Sequence, residues 1–183
     1  MNTFEQERRS LIFGVGGLSA YHMLQPTLSH GSAAQPQGYV LGSGEGEHLA
    51  HFRDGGDIFI KVGSATGSEN IAIGTQQVMV GTGIPIHRHF QMDEAFSVLK
   101  GGGIVLLNDV PHNFEQGATI FIPRNTWHGF ENSDQELLLL WFVSPAGLDS
   151  FFRDTCNPPG VPSKHWTKDQ INQIARKYGT EFR

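Results

Sequence analysis

The sequence predicts an all-β chain, folded as one small closed barrel or sandwich and finished by a helix, on three observations. Glycine and proline are frequent, at 23 and nine of 183 residues, and they break the chain at short intervals. Between the breaks lie short apolar runs, several of which alternate at period two. Only the last stretch changes to helical spacing. The length suits one domain with a sizeable core.

Residues 1–34 read as an export signal, set apart from the strands that follow. Arg8 and Arg9 precede an uncharged apolar stretch at 11–24, too short and too glycine-rich for a stable membrane anchor. Ser32 and Ala34 give a small-x-small cleavage pattern before Gln35, and the arginine pair followed by Ser10, Leu11 and Ile12 resembles a twin-arginine signal. On this reading the protein is exported to the periplasm; without the signal it would be cytoplasmic. The glycines at 14, 16 and 17 lack a preceding strand and are not a nucleotide loop.

The barrel is expected over 35–145. Strands are predicted at 57–62, 71–80, 85–89 and 94–99, then at 104–107, 119–122, 127–131 and 136–143, with glycine-rich reversals at 81–83 and 101–103. Residues 137–141 are apolar on both faces, so their outer face needs a cover. A helical extension over 146–183 offers one. It comprises a short piece at 146–153, then a helix capped by Thr167 and Gln170, carrying Ile171, Ile174, Ala175 and Tyr178 on one side and ended by Gly179. Ile84 and Ile86 are expected to face away from the ligand side, adding to the outward apolar surface, and the chain is expected to form a homodimer.

Composition narrows the chemistry. The net charge is −5 and no basic run could follow a phosphate backbone, which excludes nucleic acid as a partner; a mainly apolar pocket wall at Phe96, Val98 and Phe130 suits a small-molecule substrate instead. Cys156 is the sole cysteine, so any metal must be held by imidazole and carboxylate. There is no G-x-S-x-G elbow and no setting for a catalytic cysteine.

Two segments supply such donors. In the first, Gly81 is followed by His87, His89, Glu94 and Gly101; the two histidines, two apart on a strand, point to one face. In the second, Gly117 is followed by Pro123, Asn125, His128 and Asn132. Imidazole suits first-row transition ions, and a carboxylate adds a hard oxygen while offsetting charge. Period-two alternation then places Phe96 and Val98 beside Glu94, and Phe130 and Asn132 beside His128, as the wall of a substrate pocket. His48, His51, His112 and His165 read as surface residues, and Arg124, in the turn before His128, as either an anion contact or solvated surface.

The pair of segments resembles the two signature motifs of the cupin superfamily. The first matches at every fixed position; the second departs only at Asn125, where glycine is expected and where asparagine tolerates the positive φ of the turn. The resemblance implies a single jelly-roll, or double-stranded β-helix, barrel holding one divalent ion (Fe, Mn, Ni, Cu or Zn) on His87, His89, Glu94 and His128. The C-terminal segment looks like that of the quercetin dioxygenase-like bacterial cupins. That likeness implies a metal-dependent dioxygenase acting on an enol or phenol, with Glu94 as ligand and proton acceptor. A metal-dependent isomerase or lyase, and a non-catalytic binding protein, are the alternatives, because one barrel hosts many chemistries.

Overall fold

Alternating strands must bury one face, and here two antiparallel sheets bury theirs against each other. The structure is a computed structural model that describes residues 37–131 and 134–183. The export-signal reading of residues 1–34 therefore lies outside the described residues. No helix among those described is long and apolar enough to cross a membrane.

The strands are β1 (Glu47–Ala50), β2 (Asp57–Val62), β3 (Ala72–Val78), β4 (Gly83–His89), β5 (Asp93–Lys100) and β6 (Gly103–Leu107), followed by β7 (Val110–Phe114), β8 (Thr119–Ile122), β9 (His128–Glu131) and β10 (Leu137–Ser144). Helices α1 (Leu148–Thr155) and α2 (Lys168–Ala175) precede a last strand, β11 (Thr180–Phe182). One sheet runs β1-β2-β3-β10-β5-β8 and the other β11-β4-β9-β6-β7. The chain crosses between sheets after β3 and again after β4, which brings β4 and β5 to opposite walls.

β10 is central to its sheet, paired with β3 on one side and β5 on the other. Its inward residues Leu137, Leu139, Trp141 and Val143 are fully buried. Gly74 on β3 lies beneath the Trp141 ring: a Cβ there would sit 2.3 Å from Trp141 Cζ2 and 2.4 Å from the Phe59 carbonyl oxygen. The backbone contact cannot yield, so Gly74→Ala is expected to destabilise the fold by about 3 kcal/mol, the upper end of ordinary overpacking. Chemical denaturation of the two proteins measures this, and an unchanged midpoint would contradict the packing.

Several expectations are revised. The short helical piece begins at Leu148, two residues later than predicted, because Gly147 at φ 157° is not helical. α2 starts on the expected box, with Gln170 N donating to Thr167 Oγ1 and Thr167 N donating to Gln170 Oε1, and the 3-10 turn after it ends at Gly179 with φ 66°. It does not serve as the lid of β10: its contacts run to α1 and β11. The outer face of β10 instead carries a groove between Leu138, Leu140, Phe59 and Leu99, bordered by the segment around Leu41. The extension is also part of the barrel, since β11 forms the edge of the second sheet.

Candidate metal centre

Three histidines come from one wall and the carboxylate from the other. His87 and His89 face inward from β4, and His128 on β9 is the direct cross-strand partner of His87. Glu94 reaches across from β5. The turn that delivers His128 depends on Asn125, which holds φ 66° as its sequence position requires and whose N–H donates to the His89 carbonyl. Arg124 is exposed and forms a two-pronged contact with Asp93, fixing this turn to the start of β5; those hydrogen bonds hold Asp93 down at about 2. It is a staple outside the cavity, not an anion contact within it.

One donor atom from each of His87, His89, Glu94 and His128 lies within 4.8 Å of the others, and all four side chains are buried. The hydrogen bonds behind the rings decide which nitrogens face the centre. His87 Nδ1 donates to the Pro85 carbonyl at 2.8 Å and His128 Nδ1 to the Thr126 carbonyl at 2.9 Å. Each ring therefore carries its proton on Nδ1 and keeps a lone pair on Nε2. Yet Nε2 of His89 and of His128 stand 3.1 and 3.0 Å from Glu94 Oε2. Lone pairs and a carboxylate oxygen converging in a buried space are the arrangement that a cation completes, so the residues fit a metal ion.

Charge is distributed accordingly. Burial pushes the Glu94 carboxyl up, but the charge and hydrogen bonds that His89 and His128 offer it when protonated more than offset this and hold it below the ordinary carboxylate range; a cation between them would take the place of those protons. Burial, reinforced by the neighbouring His128 and His89, holds His87 well below the usual histidine range, as a neutral ligand must be. The donor set is nitrogen and oxygen only. Cys156 is buried elsewhere, its thiol pushed up to about 11 by burial.

His87, His89 and Glu94 open into a cavity of about 40 Å³. His128 sits behind them. Phe96 lines the cavity as the alternation predicts, together with Ile84, Leu148, Phe151, Phe152 and Phe182. Val98 and Phe130 are buried in the barrel but outside this lining: Phe130 packs edge-on against Phe96 and Phe114, deeper in the core. Asn132 falls outside the described residues. Ile84 lines the cavity, contrary to expectation, because a register shift between Ile84 and His87 breaks the alternation along β4. His51 also departs from its reading as a surface residue: it is 5% exposed and lines the cavity, covered by Phe52 and Phe152. His48, His112 and His165 are exposed.

Sequence spacing could not reveal what β11 contributes. Thr180, 1% exposed, places Oγ1 2.8 Å from His89 Nδ1, and Phe182 stacks on the His87 ring at 5.2 Å. When Nδ1 donates to the Thr180 hydroxyl, His89 also keeps its Nε2 lone pair for a metal. Thr180→Val preserves shape and removes the acceptor, so metal affinity is expected to fall about 10–100-fold with the fold intact. Competition with a chelator measures it; an unchanged affinity would remove Thr180 from the support of the site.

Known proteins resemble this chain in the segments that build the cluster and in fold. The cupin domain profile matches residues 74–143, which span both ligand-bearing segments. Protein SchB of Streptomyces halstedii is 31% identical over 120 residues, covering 61% of this chain and 87% of that protein. An uncharacterized protein of Methanocaldococcus jannaschii is 34% identical over 55 residues, 30% of this chain; the chain spans only 44% of that relative's length. An RmlC-like cupin from Shewanella frigidimarina superposes with a TM-score of 0.53 at 18% identity, over 63% of this chain and 99% of that one, a likeness of fold. Profile, relative and barrel agree: the chain belongs to the cupin superfamily.

Proposed function

We propose that this chain is a metal-dependent dioxygenase acting on a compact enol. The observation that carries the reading is the buried three-histidine, one-glutamate cluster opening into an otherwise largely apolar, aromatic cavity. A divalent transition ion held there would supply a Lewis acid and a redox centre for an enol and dioxygen.

The chain's own residues do the rest. Glu94 Oε2 lies 3.1 and 3.0 Å from the Nε2 atoms of His89 and His128, on the side a cation would occupy, whereas Oε1 makes no hydrogen bond among the described residues and is not sealed from the cavity, which Glu94 lines. Oε1 is therefore the atom that takes the enol proton. Leu148, Phe151 and Phe182 exclude water and favour an apolar gas. The cavity would hold roughly three waters by the volume one water needs, which supports a compact enol over a fused-ring flavonol.

The test is oxygen uptake by protein reconstituted separately with Fe, Mn, Ni, Cu and Zn, offered small hydroxy-ketones and 1,3-diketones beside catechol. Uptake that requires both metal and a compact enol is expected. Turnover without oxygen uptake would move the reading to an isomerase, and neither would leave a binding protein.

A further inference from the structure

We infer that His51 and Gln76 form a second polar pole in the metal cavity, one that receives an uncharged carbonyl or hydroxyl oxygen of a compact substrate whose enol end meets the metal cluster. This rests on the metal-cavity reading above and specifies its substrate as a molecule with two oxygen functions.

His51 is held on both its backbone and its ring. Its N–H donates to the Gly56 carbonyl at 2.9 Å and its own carbonyl accepts from Gly55 N at 2.8 Å. Its Nδ1 accepts the Arg53 N–H at 3.0 Å, so in the neutral ring the proton is on Nε2. Burial, helped by the Arg53 charge, keeps the ring neutral. Among the described residues Nε2 has no hydrogen-bond partner. Gln76 faces inward on β3 between Ile58 and Leu139, is 4% exposed, and makes no side-chain hydrogen bond among the described residues.

Buried polar groups are almost always satisfied, so two unpartnered ones on one cavity call for a ligand. Among the described residues, the buried polar atoms that are sealed and without a partner are Trp141 Nε1 and Asp149 Oδ1; the ends of His51 and Gln76 are not among them and retain surface. Both residues line the metal cavity, so that surface belongs to it. The charge of this pole is also defined. Arg53 lies beside it, but its Nε and Nη2 are bound to Asp54 at 3.2 and 2.9 Å, which leaves the pair neutral. Neutral donors suit a carbonyl or hydroxyl oxygen better than a carboxylate. At the other end, a divalent ion with one carboxylate leaves a single positive charge, which matches one enolate.

The test uses the full chain loaded with cobalt(II), whose visible spectrum reports binding at the metal. The probes are azide, which needs only the metal, and hydroxyacetone, a compact molecule with two oxygen functions, one for the metal and one for the second pole. His51→Asn keeps an acceptor for the Arg53 N–H but lacks the outer donor, and His51→Gln restores a donor near Nε2. His51→Asn and Gln76→Leu should each weaken hydroxyacetone about tenfold, the scale of one lost hydrogen bond, with azide unchanged and His51→Gln close to wild type. Should the loop around His51 fail to fold, Gln76→Leu alone gives the same reading. Equal weakening of both probes, no weakening of either, or wild-type protein that binds azide but not hydroxyacetone overturns the second pole. Wild-type protein that takes up no cobalt fails at an earlier step and overturns the metal reading itself, and this inference with it.

Discussion

Replacing His87 and His128 together with alanine is expected to reduce bound transition metal from about one ion per chain to almost none, while the barrel still folds. The two rings are cross-strand partners with centroids 4.1 Å apart, and they provide half of the four-residue cluster. Structural zinc sites gain about 10–16 kcal/mol from their metal; on that scale, losing two of four ligands removes roughly half, more than a thousandfold in affinity. The fold does not depend on the ion. Ile58, Leu139, Trp141 and Val143 are fully buried and are not among the four donors, and the sheets are closed by their own ladders. Metal content by mass spectrometry and β-sheet content by circular dichroism check the two halves of this expectation. A double variant that keeps its metal would show that the ion sits elsewhere.

The four-residue cluster was legible because the motif spacing and the strand period point to the same atoms. His87 and His89 share a face by alternation alone, and Asn125 adopts the positive φ that its place in the motif demands. What escaped the sequence is whatever depends on distant partners. Thr180 supports His89 from 91 residues away, and β11 is too short to stand out as a strand before it is paired. His51 reads as a surface residue until Phe152 of α1 closes over it. The β6–β7 hairpin did leave a signal in Asn108-Asp109, whose φ angles of 48° and 66° are those of a tight hairpin turn. Alternation predicts which way a side chain faces but not how deep it lies, which is why Phe96 lines the cavity and Val98 and Phe130 do not. It also fails across a bulge, as Ile84 shows.

Glu94→Gln is expected to lower turnover by about 10²–10⁴, the contribution of a positioned general base, and to weaken the metal far less. The substitution keeps the size of a side chain that is 2% exposed and leaves an amide oxygen able to act as a ligand. It removes the negative charge that faces His89 and His128, and with it the one group lining the cavity that can accept a proton as a carboxylate. The two roles separate at saturating metal. There, a Glu94→Gln protein that has merely lost affinity regains wild-type oxygen uptake, whereas one that has lost its base stays slow. Glu94→Asp completes the comparison: it retains the charge but draws the carboxylate back by one methylene, so its turnover should fall between the other two. Oxygen-electrode rates for the three proteins, measured over a metal titration, decide the matter. Full recovery of Glu94→Gln with excess metal would make Glu94 a ligand only, and the proton would have to leave the enol by another route.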